Sequence, residues 1–369
     1  MKQKSFLVRA AVCVLLCAGL CGCAVQTIPG DSRQKPLLRT EKAMMAKSLA
    51  ALSADAHPVL APENKNDTFE PGKITVNNSD FILSEAQNAE LTGIMGKYRP
   101  YKAGFYVLDL ASGMSVGYAA DEYFMPACTI KAGYALSWFE RLEQNRIDRD
   151  NGVAEDPQAP RLYLDSTYLY TGADYLVGAG RIQYQGTGRT YTIKEILYHL
   201  IHESDNTAYN ILYKKFGNAD YIALSERLGL QPFSGQYGMW TRIRPLDEGL
   251  IWQEIWRYKQ TGSPEAQLFW EYLTTNLFCE IKVAGIEADE IAHKSGSDEY
   301  AFNEAGIVRR GENAYVVTVF TSRPLSVVGE SYDECHELIV SLDNLMQDFY
   351  AKNNEDQVNQ VSQVKEKQK

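Results

Sequence analysis

Cys128 and Lys131 are a pair with the makings of a reaction. They sit in Pro126-Ala127-Cys128-Thr129-Ile130-Lys131, at the start of a long helical pattern. Residues three apart share a helix face, so the Lys131 amine reaches the Cys128 sulfur while Thr129 points elsewhere. A thiol at a helix N-terminus beside a lysine is more acidic than the free side chain and is partly thiolate near neutral pH, the form that acts as a nucleophile. Two further polar clusters stand at seams of the pattern. Ser204-Asp205-Asn206 falls between two helical segments. Lys294-Ser295-Gly296 ends a strand, where a glycine lets a substrate backbone come close to the sheet. His202 and His293 lie beside these clusters, but neither has a Cys, Asp or Glu at ligand spacing. They read as wall or surface residues, and no metal motif is present.

The elements that must position these residues follow from period and punctuation. Residues 81–98 have helical spacing at Ile82, Ala86, Leu91 and Met95. Residues 104–110 read as a strand, Ala111-Ser112-Gly113-Met114 as a turn, and 115–119 as the returning strand. From Ile130 the period becomes helical, over 132–142, 193–202, 208–216, 221–228, 246–258 and 266–276. Thr192-x-x-Glu195 is a capping box, Gly217 and Gly229 end helices, and Pro245 and Pro264 suit first helical positions. Strand character returns at 290–294, 301–308 and 314–321, and an amphipathic helix follows over 332–350. This order predicts an α+β fold: a mostly antiparallel sheet flanked by its terminal helices, with an inserted all-helical domain and a cleft where the two meet. The domain runs over 79–350, its α/β part 79–127 and 285–350 and its helical part 128–284. Five tyrosines between Tyr163 and Tyr184 read as a packed, irregular crossover, with a glycan or peptide groove as the alternative.

In order and placement the clusters at 128, 204 and 294 resemble the S-x-x-K, S-D-N and K-T-G motifs of class A β-lactamases and penicillin-binding proteins. Val107-Leu108-Asp109-Leu110 and Ala305-Gly306-Ile307-Val308 also look like that family, and the resemblance covers about residues 81–350. It implies a β-lactamase/transpeptidase-like fold, with Cys128 in the nucleophile's place and Lys131 as its proton acceptor. It gives Ser204 the relay of a proton to the leaving nitrogen and Asn206 the substrate's side-chain amide. Lys294, Ser295 and Gly296 would hold the substrate carboxylate, and the backbone N–H groups of Cys128 and Ser297 would form the oxyanion hole. The implied ligand is a β-lactam or a D-Ala-D-Ala-like peptide of the peptidoglycan stem type. No cofactor is implied.

Two departures alter the expected chemistry. The family has Ser where this chain has Cys128, and a larger sulfur in a site shaped around an ester costs rate if it sits slightly wrong. The stretch 229–244, where class A β-lactamases carry the loop Glu that activates the deacylating water, contains neither Asp nor Glu. Asp247 and Glu248 follow, and read as first-turn carboxylates favoured by the helix dipole, able to replace that base only if their helix lies unusually close to the cleft. The expectation is a β-lactamase-like acyl-transfer hydrolase that acylates Cys128 and deacylates slowly. A non-catalytic peptidoglycan- or β-lactam-binding sensor on the same fold, and a redox-sensitive surface thiol, stay open beside it.

The rest of the chain bounds the setting. With 369 residues, 45% hydrophobic and 23% charged, it is a folded globular protein and not a disordered one. A net charge of −10 argues against a nucleic-acid partner, since phosphate backbones are bound by clustered Lys and Arg. Lys2, Lys4 and Arg9 precede an apolar run over 10–20 that suits a signal-peptide core. The run ends in Leu20-Cys21-Gly22-Cys23, which resembles the bacterial lipobox with Cys23 as the lipidated residue. An ordinary secretory signal is the alternative. Removing residues 1–22 leaves the mature chain near −13, so attachment would rest on the acyl chains. Residues 23–78 read as a tether, with a short helix possible at 41–52. Its reach of about 40 Å holds a domain clear of the outer surface of the cytoplasmic membrane. Residues 351–369 read as a polar tail, the spacing of Val358, Val361 and Val364 being too sparse for a helix. Cys279 and Cys335 are left as a pairing that spacing does not decide.

Overall fold

Period-two alternation builds the sheet. In Ala103–Asp109 (β2), Phe105 and Val107 pack into one apolar cluster while Tyr106 and Leu108 pack into another, because successive strand residues point to opposite faces. The computed structural model describes residues 73–77, 81–231, 238–298, 301–323 and 328–367, all within the unit Leu60–Lys369. The signal segment, Cys23, the short helix at 41–52 and most of the tether lie outside the described residues.

Thr75–Asn77 (β1), β2, Ser115–Tyr118 (β3), Glu290–Ser297 (β6), Phe302–Arg310 (β7) and Asn313–Thr321 (β8) form one antiparallel sheet in the order β1-β3-β2-β8-β7-β6. On its first face lie the terminal helices Glu85–Lys97 (α1) and Val328–Lys367 (α9). Here Val107, Val116, Val308 and Val317 pack with Leu338, Leu342 and Met346. Asp109 ties the layers: it accepts from Ser112 in the hairpin turn at 2.6 Å and from the Tyr350 hydroxyl of α9 at 2.8 Å. Such burial of large apolar side chains contributes about 1.5–3 kcal/mol each.

The second face receives the helical insertion, which begins after β3. It comprises Lys131–Asp150 (α2), the hairpin of Thr167–Leu169 (β4) and Thr190–Thr192 (β5), and Ile193–His202 (α3). Asn206–Phe216 (α4), Ala219–Leu228 (α5), Pro245–Gln260 (α6) and Pro264–Thr274 (α7) complete it, and the short Glu280–Val283 (α8) lies on the first face, where Ile281 joins the cluster of α9. α2 is its buried axis, with Phe139 stacked on Phe269 at 4.8 Å and Trp138 edge-on to Phe216 at 5.2 Å. The capping box at Thr192 and Glu195 forms, Gly217 and Gly229 cap their helices at positive φ, and Pro245 and Pro264 take first-turn positions.

Four features differ from the sequence reading. β1 lies inside the stretch assigned to the tether: Ile74 is buried, and Val76 pairs with Val116, although three residues are too few to display a period. The crossover after α2 contains the β4–β5 hairpin, in which Tyr170 is buried against Tyr191. The last helix extends from Val328 to Lys367, so the tail assigned to 351–369 is helical up to Lys367. Its Glu, Lys and Gln residues are good helix formers even without an apolar stripe. His293, read as a wall or surface residue, is fully buried on the face of α9, with its Nδ1 3.2 Å from Glu304 Oε1. That partner comes from the neighbouring strand, which sequence spacing does not reveal.

Candidate active site

The nucleophile's position is made by a tight turn. Ala127–Ile130 is a 3-10 segment that leads directly into α2, and Ala127 holds φ +47°, a costly backbone region for a residue with a Cβ. Asn303, fully buried in β7, donates to the Met125 carbonyl at 2.8 Å and fixes this segment to the sheet. β6 comes so near that a Cβ on Gly296 would lie 2.6 Å from the Cys128 nitrogen and 2.7 Å from the Pro126 oxygen. Only a glycine fits there.

Lys131 is fully buried, and its ammonium is the centre of the cluster. Nζ lies 3.3 Å from Cys128 Sγ, 2.6 Å from the Ser204 carbonyl and 2.7 Å from Asn206 Oδ1, with Ser204 Oγ at 3.4 Å. An ammonium has three donors, and these near acceptors use them. Ser204 presents both its carbonyl and its hydroxyl because it adopts φ +54°, at the junction of α3 and α4. Asp205 holds that junction: it caps α4 through Ala208 N at 2.8 Å and accepts from Ile182 N at 2.8 Å. Gly180 packs so close that a Cβ would fall 2.2 Å from the Asp205 carboxyl.

Lys294 approaches from the sheet. Its Nζ donates to Ser204 Oγ at 2.9 Å and to the Ser295 carbonyl at 2.9 Å. Burial pushes the amine down to about 8, against the opposing pull of Cys128. Burial also pushes the Cys128 thiol up, but Lys131 and Lys294 outweigh it, and the thiol ends below its ordinary value. Ser295 Oγ donates to the Phe278 carbonyl at 2.9 Å, and Asn206 Nδ2 to the Val177 carbonyl at 3.1 Å. Cys128, Lys131, Ser204, Asn206, Lys294, Ser295 and Gly296 therefore converge on one place, with Ser297 next to it. Among the described residues no group of three or more His, Cys, Asp or Glu side chains is placed to hold a metal ion.

The model of the Beta-lactamase enzyme family matches residues 86–348. The chain belongs to the beta-lactamase enzyme family. Its curated relatives include β-lactamase ROB-1 of Haemophilus influenzae, 26% identical over 194 residues that make up 52% of each chain. They also include SME-1 of Serratia marcescens, 27% identical over 97 residues, 26% of this chain and 33% of that one. The chain thus spans about half the length of the ROB-1 enzyme it matches. Among solved structures, a β-lactamase from Sphaerobacter thermophilus is similar with a TM-score of 0.59 and 18% identity, over 72% of this chain and 98% of that one. An acyl-enzyme complex of a PBP-A mutant with penicillin G has a TM-score of 0.56 and 22% identity, over 69% and 96%. These likenesses establish the β-lactamase-like fold.

Two residues near the site, and the burial of a third, escaped the sequence reading. Tyr209 and Trp240 lay their rings 5.8 and 5.5 Å from Lys131 Nζ. Tyr209 is three residues after Asn206 on one helix face, a usable signal, whereas nothing in the sequence places Trp240. Glu248 is a first-turn residue of α6 as expected, yet it is fully buried. Burial raises its carboxyl to about 7, the Trp252 indole donates to it at 3.1 Å, and Lys294 partly offsets the shift. Asp247 forms a bidentate pair with Arg244 at 2.6 and 2.8 Å. Cys279 and Cys335 are both buried, free thiols.

Gly296→Ala tests the close approach of β6. Overpacking there should cost about 1–3 kcal/mol of unfolding free energy, read as a lower denaturant midpoint. Gly93→Ala, at an open position in α1, should cost nothing or stabilise by up to about 1 kcal/mol. Equal midpoints for the two variants would refute it.

Proposed function

We propose that the protein is a cell-envelope acyl-transfer hydrolase of the β-lactamase family in which β-lactams or D-Ala-D-Ala-like peptides acylate Cys128 and the acyl group leaves slowly. The observation that carries this reading is the Lys131 ammonium 3.3 Å from a thiol whose proton affinity is lowered by two lysines. A serine hydroxyl needs a base at the moment of attack, but a thiol gives its proton to Lys131 beforehand and waits as a thiolate–ammonium pair. Sγ then attacks the amide carbonyl: the C–S bond forms, the C–N bond breaks, and the leaving nitrogen takes the Ser204 hydroxyl proton. Lys131, which took the thiol proton and lies 3.4 Å from Ser204 Oγ, resupplies it, and Lys294 keeps its charge. The oxyanion is received by the Cys128 and Ser297 N–H groups, and the substrate carboxylate by Lys294 and Ser295. Asn206 offers its remaining lone pair and N–H to the substrate amide. Water addition across the thioester completes the cycle, slowed by the lack of an acidic residue in 229–244. Cys23 carries the lipid that holds the protein at the outer side of the cytoplasmic membrane, a reading supported by Leu20-Cys21-Gly22-Cys23.

Intact-protein mass spectrometry of residues 24–369 with a penicillin should show a stable adduct, lost in Cys128→Ala. An adduct that survives in Cys128→Ala would sink the thiol mechanism. An adduct on Cys128→Ser but none on the parent would make the non-catalytic sensor the better reading.

The acylation rate should follow a bell in pH. It rises as Cys128 ionises, below the usual thiol range, and falls as Lys294 loses its charge at about 8, because the neutral amine no longer attracts a carboxylate. A profile with no fall on the alkaline side removes Lys294 from substrate binding.

Cys23→Ser should move the protein from the membrane fraction to the soluble fraction after cell lysis. Retention in membranes would contradict the lipid anchor.

A further inference from the structure

Around Lys131 the polar and apolar neighbours divide the space. Cys128, Ser204 and Asn206 take its three N–H groups, and the remaining directions are closed by aromatic rings. Tyr209 and Trp240 meet edge to face at 5.1 Å, with planes at 84°. The Tyr209 hydroxyl donates to the Met239 carbonyl at 2.7 Å, fixing the chain next to Trp240. Beyond it, Ile243 and Phe124 exchange backbone hydrogen bonds of 2.9 and 3.0 Å and bind the other end of this segment to the strand that leads into the nucleophile. Trp240 is therefore held from both sides over the Lys131 amine. The Lys131 side chain has no solvent exposure at all.

We propose that Trp240 is a positioning residue that seals the Lys131 side of the acylated site against water and so sets the lifetime of the thioester. This rests on the acyl-transfer reading above. Hydrolysis adds water across the C–S bond, giving the free carboxylic acid and the thiol, and needs a water with a hydrogen-bonding base on the carbonyl's open face. The indole ring offers that water no acceptor, and its attraction to the ammonium keeps Lys131 turned toward Cys128 and Ser204. Formation of the thioester needs no water, so acylation is insensitive to the seal. A missing acid in the segment slows hydrolysis passively; a ring laid on the lysine makes the exclusion an active feature of this chain.

The experiment follows the penicillin adduct by intact mass after removal of free penicillin, in the parent, Trp240→Leu, Trp240→Ala and Trp240→Gln. The leucine keeps an apolar cover, and its adduct should decay at the parent's rate. The alanine opens the site and should shorten the half-life about tenfold or more, with the 10²–10⁴-fold of a well-positioned base as the ceiling. The glutamine retains much of the volume and should do the same in a less disturbed fold. Acylation rates should change far less than decay rates in every variant. An unchanged half-life in both Trp240→Ala and Trp240→Gln overturns the role, as does a parallel loss of acylation and decay, the mark of a scaffold residue. No adduct on the parent overturns the acyl-transfer reading itself, and the Trp240 role with it; an adduct that ignores Trp240 overturns the Trp240 role alone.

Discussion

The buried Lys131 ammonium is the joint on which the site depends. One nitrogen holds the thiol at the start of α2, the carbonyl of Ser204 between α3 and α4, and the carboxamide of Asn206 on the first turn of α4. A charge in a dry interior persists only if its donors are satisfied, and an uncompensated one costs several kcal/mol. The strained backbone at Ala127 and Ser204 makes sense in that light: both departures from easy φ values aim groups at this cation or its thiol partner.

Lys294 is supported differently. Its own face of β6 looks into the helical part, toward Ser204, while the next residue on the opposite face is His293. From His293 a buried polar chain runs through Glu304, the Glu280 N–H and the Glu280 carboxylate to His336 on α9. It joins the carboxylate-binding strand to the terminal helix through residues that never touch the cleft. Such networks fix position when every member is satisfied. Here two buried atoms, His293 Nε2 in that chain and one carboxylate oxygen of Glu248, find no partner among the described residues.

Much of this was legible in the sequence because it is local or periodic. Cys128 and Lys131 three apart on a helix, the capping box at Thr192, and the alternation in β2 each express a contact within a few residues. The three clusters, taken in order, pointed to the fold and to seven residues that meet in one place. What escaped is set by contacts across long separations. His293 meets Glu304 only through strand register, Trp240 reaches Lys131 across 109 positions of chain, and Glu248 is buried only because α6 packs against the sheet. β1 and the extension of α9 escaped for another reason: the first is too short for a period, and the second carries no apolar stripe.

The sheet order separates the chain's entry into the fold from its site. The chain joins the sheet at β1, one outer strand, whereas Lys294 and Gly296 lie on β6, the other outer strand. Five interstrand steps of about 4.8 Å put roughly 24 Å of protein between them. A force applied to the chain upstream of Thr75 would therefore enter the sheet at the margin opposite the strand that carries Lys294 and Gly296.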